Sequence, residues 1–271
     1  MEYDEPDLAT ERAHSARVYD YMLGGKDNYA ADRAAAEAIL RLWPAVRIAA
    51  VANRSFMHRA VRFVAEQGVT QFLDIGTGIP TEPNLHQVVQ SVNPTCRVVY
   101  VDKDPLVLAH AAAFMRSDPR GRTAYVQADL REPAAILSSP DLRDVLDTDR
   151  PIGLSMIALL HFVTDDDEAR AIIASLTGAL APGSFLVLTH GTDEFDRERM
   201  QALAEVFSGT GFDYRFRGLA DLTAMVDGLD VVEPGIVPLH TWRPDGPRGE
   251  AAARALDRRD VAGYGVVARK S

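Results

Sequence analysis

A short segment with two glycines, residues 72–84, contains the first residues whose types and spacing could do chemistry. It reads FLDIGTGIPTEPN: an apolar run, then Asp74, then Gly76 and Gly78 with Thr77 between them. A glycine turn that follows a strand lets the backbone approach a nucleotide closely. The segment therefore predicts a nucleotide site, and the carboxylate of Asp74 bears on which nucleotide it would accept.

The spacing departs from the G-x-G-x-x-G fingerprint of a dinucleotide site. Thr81 stands where the third glycine belongs, and Pro80 precedes it. Asp74 also brings negative charge towards the pyrophosphate position, where two unit charges about 4 Å apart repel by about 1 kcal/mol in water and several times more when partly buried. NAD is disfavoured, so an NAD-linked oxidoreductase is the weaker alternative.

A ligand with a cation at this point reverses the sign of that interaction. S-adenosylmethionine carries an ammonium group and no phosphate, so the turn would allow close backbone approach and Asp74 would attract the ammonium. The alternative is purely structural: Gly76 and Gly78 permit a strand-to-helix turn, and Asp74 caps the helix.

Two further acids end the next two predicted strands. Asp102 follows RVVYV and could accept hydrogen bonds from both ribose hydroxyls, while Asp129 follows AYVQA and could meet the exocyclic amine of adenine. Their neighbours Lys103 and Leu130 belong to the same predicted cofactor site. Each acid could equally be a helix cap or a solvated loop residue. Acids at three successive strand ends nevertheless favour S-adenosylmethionine, because ligands of open α/β sheets bind at that edge.

A parallel sheet is needed to bring these strand ends together. From Gln71 onward, short β-rich runs alternate with helical stretches, which is typical of βαβ units. The runs are QFLDI, RVVYVD, TAYVQAD, IGLSMIALL and SFLVLTH, with helices predicted at about 84–92, 105–117, 165–180 and 194–208. We predict an α/β fold of Rossmann-like type: a doubly wound, mainly parallel sheet with helices on both faces.

The two ends of the chain differ from this central pattern. Residues 11–67 show helical spacing after a tail of about ten residues, so we divide the chain into a helical extension, 1–67, and one compact cofactor-binding unit, 68–271. Near the C-terminus we expect a helix at 219–228 and an antiparallel strand pair at 229–233 and 263–268. The connecting HTWRPDGPRGE, residues 240–250, is rich in proline, glycine and charge, so we expect it to be exposed.

Composition and charge restrict the class of protein. The 271 residues are 47% hydrophobic and 25% charged, which is ordinary for a soluble globular chain. The formal net charge of −10, from 29 basic and 39 acidic residues, would repel a phosphate backbone, so we expect no nucleic-acid partner.

Cysteine, histidine and hydropathy patterns predict a protein without a metal site or a membrane partner. The single cysteine, Cys96, excludes an intramolecular disulfide and a Cys-rich zinc site, and the seven histidines are scattered. The N-terminus is acidic where a signal peptide is basic, and the longest mainly apolar run, residues 151–163, is shorter than the roughly 20 residues that span a bilayer. We expect a cytoplasmic location.

As a whole the chain resembles the class I S-adenosylmethionine-dependent methyltransferases, and within them an actinobacterial group long labelled a domain of unknown function. The resemblance lies in ARVYDYMLGGKDNYAADR (16–33), ANRSFMHRAV (52–61), FLDIGTGIPT (72–81), RVVYVDKDPLVLAHA (97–111), LLHFVTDDD (159–167) and PGSFLVLTH (182–190). It implies that Asp74, Gly76 and Gly78 hold the methionine end of the cofactor, Asp102 the ribose and Asp129 the adenine. The product would be S-adenosylhomocysteine.

We therefore expect methylation of a small molecule at oxygen or nitrogen, by in-line methyl transfer. The alternative from a different class is a regulatory protein that binds S-adenosylmethionine without transferring its methyl group. Methyl transfer depends mainly on alignment, proximity and exclusion of water, so it does not require an obvious catalytic base.

The segment GGKDN, residues 24–28, raises the question of where an acceptor would bind. The simpler interpretation is that a helix ends at Gly24 or Gly25 and that Asp27 caps the next helix. The functional interpretation is a lid over the strand edge, in which Tyr19, Lys26, Asn28 and Tyr29 shape the acceptor site. Arg54 is a further acceptor-site candidate, or equally a partner in a surface salt bridge.

His161, after the fourth predicted strand, is the imidazole nearest to the expected methyl position. With an ordinary pKa near 6.5 it could take a proton from a hydroxyl or amine acceptor. The alternative is a structural histidine that is hydrogen-bonded to backbone. Asp165–Asp167 are expected to begin the next helix, where negative charge meets the helix dipole, and His190 is expected to be structural.

Overall fold

The structure is a computed structural model that describes residues 10–114, 116–210 and 212–271. The tail predicted at residues 1 to about 10 lies almost entirely outside these ranges. In the described ranges, no helix combines the length and the apolar character needed to span a bilayer.

Within the described ranges, eight strands form one mixed sheet with the order β3-β2-β1-β4-β5-β8-β6, and β7 also pairs with β8. The strands are β1 (Gln71–Ile75), β2 (Arg97–Asp102), β3 (Arg122–Gln127), β4 (Gly153–Met156), β5 (Phe185–Gly191), β6 (Asp230–Val231), β7 (Val237–Pro238) and β8 (Gly263–Arg269). Strands β1 to β5 are parallel, whereas β8 runs antiparallel to β5, β6 and β7. The predicted fold class and its antiparallel C-terminal strand are confirmed.

The helices lie where the periodicity predicted them, and several short helices are added. They are α1 (Ser15–Met22), α2 (Ala30–Leu42), α3 (Val46–Glu66), α4 (Leu85–Val92), α5 (Pro105–Phe114), α6 (Pro133–Ser138), α7 (Pro140–Val145), α8 (Asp166–Gly178), α9 (Arg197–Gly209), α10 (Leu219–Met225), α11 (Gly246–Ala255) and α12 (Arg258–Val261). Asp165 caps α8 by accepting a hydrogen bond from the Glu168 N–H at 2.8 Å, as expected for the start of that helix.

The alternation of side chains along the strands divides the core between the two faces of the sheet. Leu73 and Ile75 of β1 point to the face covered by α8, whereas Phe72 points to the face covered by α3. A third apolar cluster joins α1, α2 and the start of α3 to α9. The cluster places the N-terminal helices over the carboxyl ends of the central strands. The division into residues 1–67 and 68–271 stays a prediction.

The expectation that residues 240–250 are exposed is wrong for the first part of the segment. Trp242 is fully buried, with its ring 5.5 Å from that of Phe56. Arg59 of α3 donates hydrogen bonds to the carbonyl oxygens of Trp242 and Leu239, at 2.9 and 2.8 Å. Local composition predicts a turn, but it contains no information about Arg59, which lies 183 residues before Trp242 in the chain. The second part begins α11, which has no buried residue.

The GGKDN segment follows the simpler interpretation for its glycines but not for Asp27. Helix α1 ends at Met22, and Gly24 follows with φ +84°. Helix α2 begins at Ala30, where the N–H of Tyr29 donates to Asp32 Oδ2 at 2.8 Å, so Asp27 is not its cap. The N–H of Asp27 donates instead to the buried carboxylate of Asp20, at 3.0 Å.

Candidate functional site

The turn after β1 needs both of its glycines, for different reasons. Gly76 and Gly78 have φ values of +74° and +67°, a region that other residues rarely adopt. A Cβ at Gly76 would lie 2.5 Å from Cδ1 of Leu159, whereas a Cβ at Gly78 would meet no protein atom within 4 Å. The N–H groups of Gly76 and Thr77 both donate to the carbonyl of Val101, at 2.8 and 3.3 Å. The turn is thus held against β2, and Gly78 leaves room beside it.

Asp74 lies beneath this turn in an environment that favours a cation. Its pKa is raised to about 6, mainly by burial and to a smaller extent by the Asp102 carboxylate, while the Ser155 hydroxyl and the positive charge of Arg54 lower it. Asp74 does not cap a helix. Helix α4 begins at Leu85, and its N-terminus is closed by Asn84 and Gln87.

Asp102, at the end of β2, is buried and hydrogen-bonded through both oxygens. Its Oδ2 accepts from the N–H of Gly78 and its Oδ1 from the N–H of Asp104, each at 3.0 Å. Burial is the main cause that raises its pKa. Because a carboxylate has about four lone-pair sites, roughly two are left for hydroxyl donors of a ligand.

One cavity of about 630 Å³ opens along the carboxyl ends of the central strands, beneath α1, α3 and α9. Ten of the residues singled out from the sequence line it: Tyr19, Arg54, Asp74, Gly76, Thr77, Gly78, Asp102, Lys103, Leu130 and His161. In the parts of the chain that the structure describes, no group of three or more His, Cys, Asp or Glu side chains could hold a metal ion.

Asp129 stands at the border of this cavity and does not line it. Strand β3 ends at Gln127, so Asp129 falls in the following turn, where its Oδ1 accepts from the N–H of Arg131 at 2.9 Å. Ala128, Leu130 and Arg131 on either side do line the cavity. The predicted contact of Asp129 with adenine stays a prediction.

Three of the predicted lid residues lie away from the cavity. Lys26 is exposed, and Asn28 donates through Nδ2 to Asp20 Oδ2 at 2.8 Å and to the carbonyl of Gly25 at 3.1 Å. Tyr29 stands at the start of α2. A Cβ at Gly25 would lie 1.9 Å from Asp20 Oδ1. The segment thus folds around the carboxylate of Asp20 and away from the strand edge.

Tyr19 and Arg54 do line the cavity, and both are held by backbone carbonyls. The Tyr19 hydroxyl donates to the Ala50 carbonyl at 3.1 Å and accepts from Asn53 Nδ2 at 2.9 Å. Arg54 donates to the carbonyls of Thr81 and Pro83, the latter at 2.9 Å. Arg54 therefore fastens the chain that leaves the glycine turn to α3.

His161 lies in a short 3-10 helix, Leu160–Phe162, with its ring stacked on Tyr214 at a centroid distance of 4.2 Å. Its Nδ1 is buried and finds no hydrogen-bond partner in the described structure, so the backbone-bonded alternative does not hold for this atom. Burial lowers its pKa well below the ordinary 6.5, and the charges of His190 and Arg217 lower it further. The imidazole is therefore neutral at neutral pH.

His190 is structural, as expected, although it also borders the cavity. Its Nδ1 lies 2.8 Å from the carbonyl oxygen of Gly191, and Arg217 donates to its Nε2 at 3.0 Å. Both ring nitrogens are thus engaged within the protein, and burial is the main cause that lowers its pKa to about 4.

Sequence reasoning missed the largest feature of the cavity, an aromatic wall. We give this name to five rings that line it: Phe162, Phe207, Phe212, Tyr214 and Phe216. The last three follow one another at alternate positions, a period-two pattern that would have signalled an extended segment with its aromatic side chains on one side. Trp43, at the end of α2, and Asn53 of α3 also line the cavity and were missed.

Comparison with known proteins agrees with the resemblance seen in the sequence. A family model described as S-adenosyl methyltransferase matches residues 1–271. A crystal structure of a DUF574 family protein from Streptomyces avermitilis is 49% identical, with a TM-score of 0.93 over 97% of this chain and 100% of that chain. A candidate methyltransferase from Thermobifida fusca is 37% identical, with a TM-score of 0.89 over the whole of both chains.

A more distant structure shows the fold alone. Human N-acetylserotonin methyltransferase, whose structure contains S-adenosylmethionine, is 14% identical with a TM-score of 0.50 over 96% of this chain and 63% of that chain. No curated protein matches the sequence.

These matches confirm the predicted family and the predicted cofactor, and the weaker NAD alternative is set aside. The two similar crystal structures come from actinobacteria, as the resemblance implied. The chain belongs to the S-adenosyl methyltransferase family.

Proposed function

We propose that this protein methylates a small molecule at an oxygen or nitrogen atom, with S-adenosylmethionine as the methyl donor. One observation carries the proposal: the acidic glycine turn and the aromatic wall with His161 line the same cavity. Such a cavity has room for a cofactor at one end and for an acceptor at the other, within the range of about 300–1,000 Å³ typical of ligand sites.

The residues around the glycine turn fit the cofactor in shape and charge. Asp74 would attract the ammonium of the methionine end, since a cation stabilises a carboxylate whose pKa is raised. The open space at Gly78 would let the backbone approach the ligand. Asp102 would accept the two ribose hydroxyls, and Lys103 and Leu130 would border the adenine together with Asp129. When bound, the cofactor supplies a methyl group that its sulfonium has already activated.

The rest of the cavity would position the acceptor and exclude water. Tyr19 and the aromatic wall enclose the end of the cavity that lies over β4 and β5. His161 lines the cavity and is neutral, so its imidazole could take a proton from a hydroxyl or amine acceptor. Room beyond the glycine turn supports catalysis over the alternative of a cofactor-binding regulatory protein, which needs no acceptor space.

Calorimetry with the parent protein and two alanine variants tests the cofactor part. We expect S-adenosylmethionine and S-adenosylhomocysteine to bind the parent, and Asp102→Ala to bind at least tenfold more weakly because the ribose hydroxyls lose their acceptor. Asp144→Ala is the matched control, since its carboxylate is exposed and pairs with Arg122 at the opposite edge of the sheet. Equal affinities in Asp102→Ala and the parent would contradict the assignment.

Methyl transfer is tested by release of S-adenosylhomocysteine with a panel of small phenols and amines. Release with at least one of them, dependent on Asp102, is the expected result. Tight binding of the cofactor with no transfer to any acceptor, oxygen or nitrogen, would favour the regulatory alternative.

A further inference from the structure

The aromatic wall forms a continuous surface of stacked rings. Tyr214 stands at its centre, 4.4 Å from Phe207 with an interplanar angle of 10° and 4.6 Å from Phe216. His161 stacks on Tyr214 at 4.2 Å. Phe162 and Phe212 continue the surface, with their ring centroids 6.4 Å apart. Tyr214 is thus enclosed between the rings of Phe207 and His161, and the partly exposed rings around it offer a face on which another flat ring can stack.

The wall is not covered by the protein itself. All five of its residues remain partly exposed, and all five line the cavity. A contiguous apolar patch inside a concave site usually marks the place where a ligand is buried. Their exposure is therefore explained if a ligand with an apolar surface occupies this end of the cavity.

The charges at this end of the cavity disfavour an anionic ligand. Asp213 borders the cavity, and the neighbouring Arg215 and Arg217 are both paired with Asp166, at 3.1 and 2.8 Å. Within the described chain, the lysine and arginine side chains that line the cavity are Arg54, Lys103 and Arg131. Lys103 follows β2 and Arg131 follows β3, on the side of the glycine turn. An anion on the aromatic wall would therefore be desolvated among aromatic rings, with the Asp213 carboxylate at the border of the same cavity.

We propose that the methyl acceptor is an uncharged aromatic molecule that stacks on the aromatic wall. This inference rests on the proposed function and identifies its substrate class. Aromatic stacking sets the orientation of the acceptor ring.

Calorimetry with three probes of the same shape tests the class of molecule. The protein is first saturated with S-adenosylhomocysteine, so that the cofactor end is filled, and is then titrated with 2-naphthol, decahydro-2-naphthol or 2-naphthoate. We expect 2-naphthol to bind at least tenfold more tightly than the saturated alcohol and than the carboxylate. The three probes separate aromaticity from apolar size and from charge.

The two tryptophans provide an internal control for the position of the probe. The chain has only Trp43 and Trp242, and Trp242 is fully buried on the face of the sheet covered by α3. In a ¹⁵N-labelled sample, 2-naphthol should shift the indole N–H resonance of Trp43 and leave that of Trp242 in place. The Trp43→Phe variant assigns the two signals.

A pair of leucine variants tests the wall itself. Phe207→Leu keeps most of the side-chain volume but removes one stacked ring, so 2-naphthol should bind about three- to tenfold more weakly while S-adenosylhomocysteine binds as before. Phe63→Leu is the matched control, because Phe63 packs against Phe185 and Trp242 on the opposite side of the core from the wall.

The outcomes separate this inference from the function on which it rests. Normal binding of S-adenosylhomocysteine, with the three probes bound equally or with only the Trp242 resonance shifted, would overturn the aromatic acceptor and leave the methyltransferase intact. Failure of S-adenosylhomocysteine to bind at all would overturn both.

Discussion

The backbone N–H of Gly78 donates a 3.0 Å hydrogen bond to Oδ2 of Asp102, and this bond joins the turn after β1 to the end of β2. Gly78 follows β1 and Asp102 ends β2, so the bond fixes the position of the turn relative to the neighbouring strand. The turn presents its open side to the cavity only while this bond holds Gly78 in place. Changes in the turn, in the acid or in the chain that leaves the turn should therefore affect ligand binding in separable ways.

Substitution by alanine should have different effects on stability at Gly76 and at Gly78. Gly76→Ala combines an unfavourable φ with a clash against Leu159, so we expect the free energy of unfolding to fall by about 2–5 kcal/mol. Gly78→Ala meets no protein atom and should lose only about 1–2 kcal/mol from its φ. Because its methyl group fronts the cavity, it should nevertheless weaken cofactor binding strongly. Urea unfolding and calorimetry measure the two effects, and equal losses of stability in both variants would contradict this account.

Asp74 should make the parent protein less stable as pH rises. Its folded pKa of about 6 lies above the ordinary value of 3.8, so the folded state holds the proton more tightly than the unfolded state does. The resulting stability is complete below about pH 4 and is lost as pH rises through about 6. We expect Asp74→Asn to exceed the parent by up to about 3 kcal/mol in unfolding free energy at pH 8, and to match it near pH 4. Urea unfolding across this range measures the difference.

Ionisation of Asp74 should raise the affinity for the cofactor as pH rises, although it lowers the stability of the protein. Only ionised Asp74 attracts an ammonium group, so the affinity of the parent for S-adenosylhomocysteine should rise as pH increases through about 6. In Asp74→Asn the affinity should be lower and this rise should be lost. Calorimetry measures the affinity of both proteins as a function of pH. If the parent and Asp74→Asn showed the same rise in affinity, another group, such as Asp102, would be responsible for it.

His161 should remain neutral across the physiological pH range. Burial lowers its pKa well below 6.5, and the nearby charges of His190 and Arg217 act in the same direction. Its ring ¹⁵N and ¹³C resonances should therefore not titrate between pH 6 and 8. The partly exposed His14 and His110 offer spectra for comparison, and the His161→Gln variant assigns the signal. A titration midpoint near 6.5 for His161 would contradict its burial as described.

Arg54 should act on cofactor binding through the backbone. Its guanidinium holds the carbonyls of Thr81 and Pro83, so Arg54→Ala should speed amide hydrogen exchange in residues 79–84 and weaken S-adenosylhomocysteine binding about tenfold. Arg62→Ala is the matched control, because Arg62 lies on the same helix and pairs with Asp245 in an exposed ion pair. Unchanged exchange in residues 79–84 of Arg54→Ala would show that the arginine does not fasten this segment.

Local patterns in the sequence determined the sheet and the end of the cavity that contains the glycine turn. Strand periodicity is a property of neighbouring residues, and parallel strands end at one edge, so Asp74 and Asp102 could be brought together on paper. Gly76 and Gly78 could also be predicted from the sequence, because the positive φ of a turn residue depends on the turn itself and not on distant residues. Asp129 lay near the limit of this reasoning, since an error of two residues in the end of β3 decides whether it faces the cavity or the turn.

Only the tertiary structure decided the position of the aromatic wall and the burial of the polar segments. Trp43, Phe162 and Tyr214 are distant in sequence, and they line one cavity because the N-terminal helices and α9 pack together over the strand edge. Packing between distant segments also explains why GGKDN folds around Asp20 and why Trp242 is buried beneath Arg59. Composition reports the average preference of each residue, whereas burial depends on which partners long-range packing supplies.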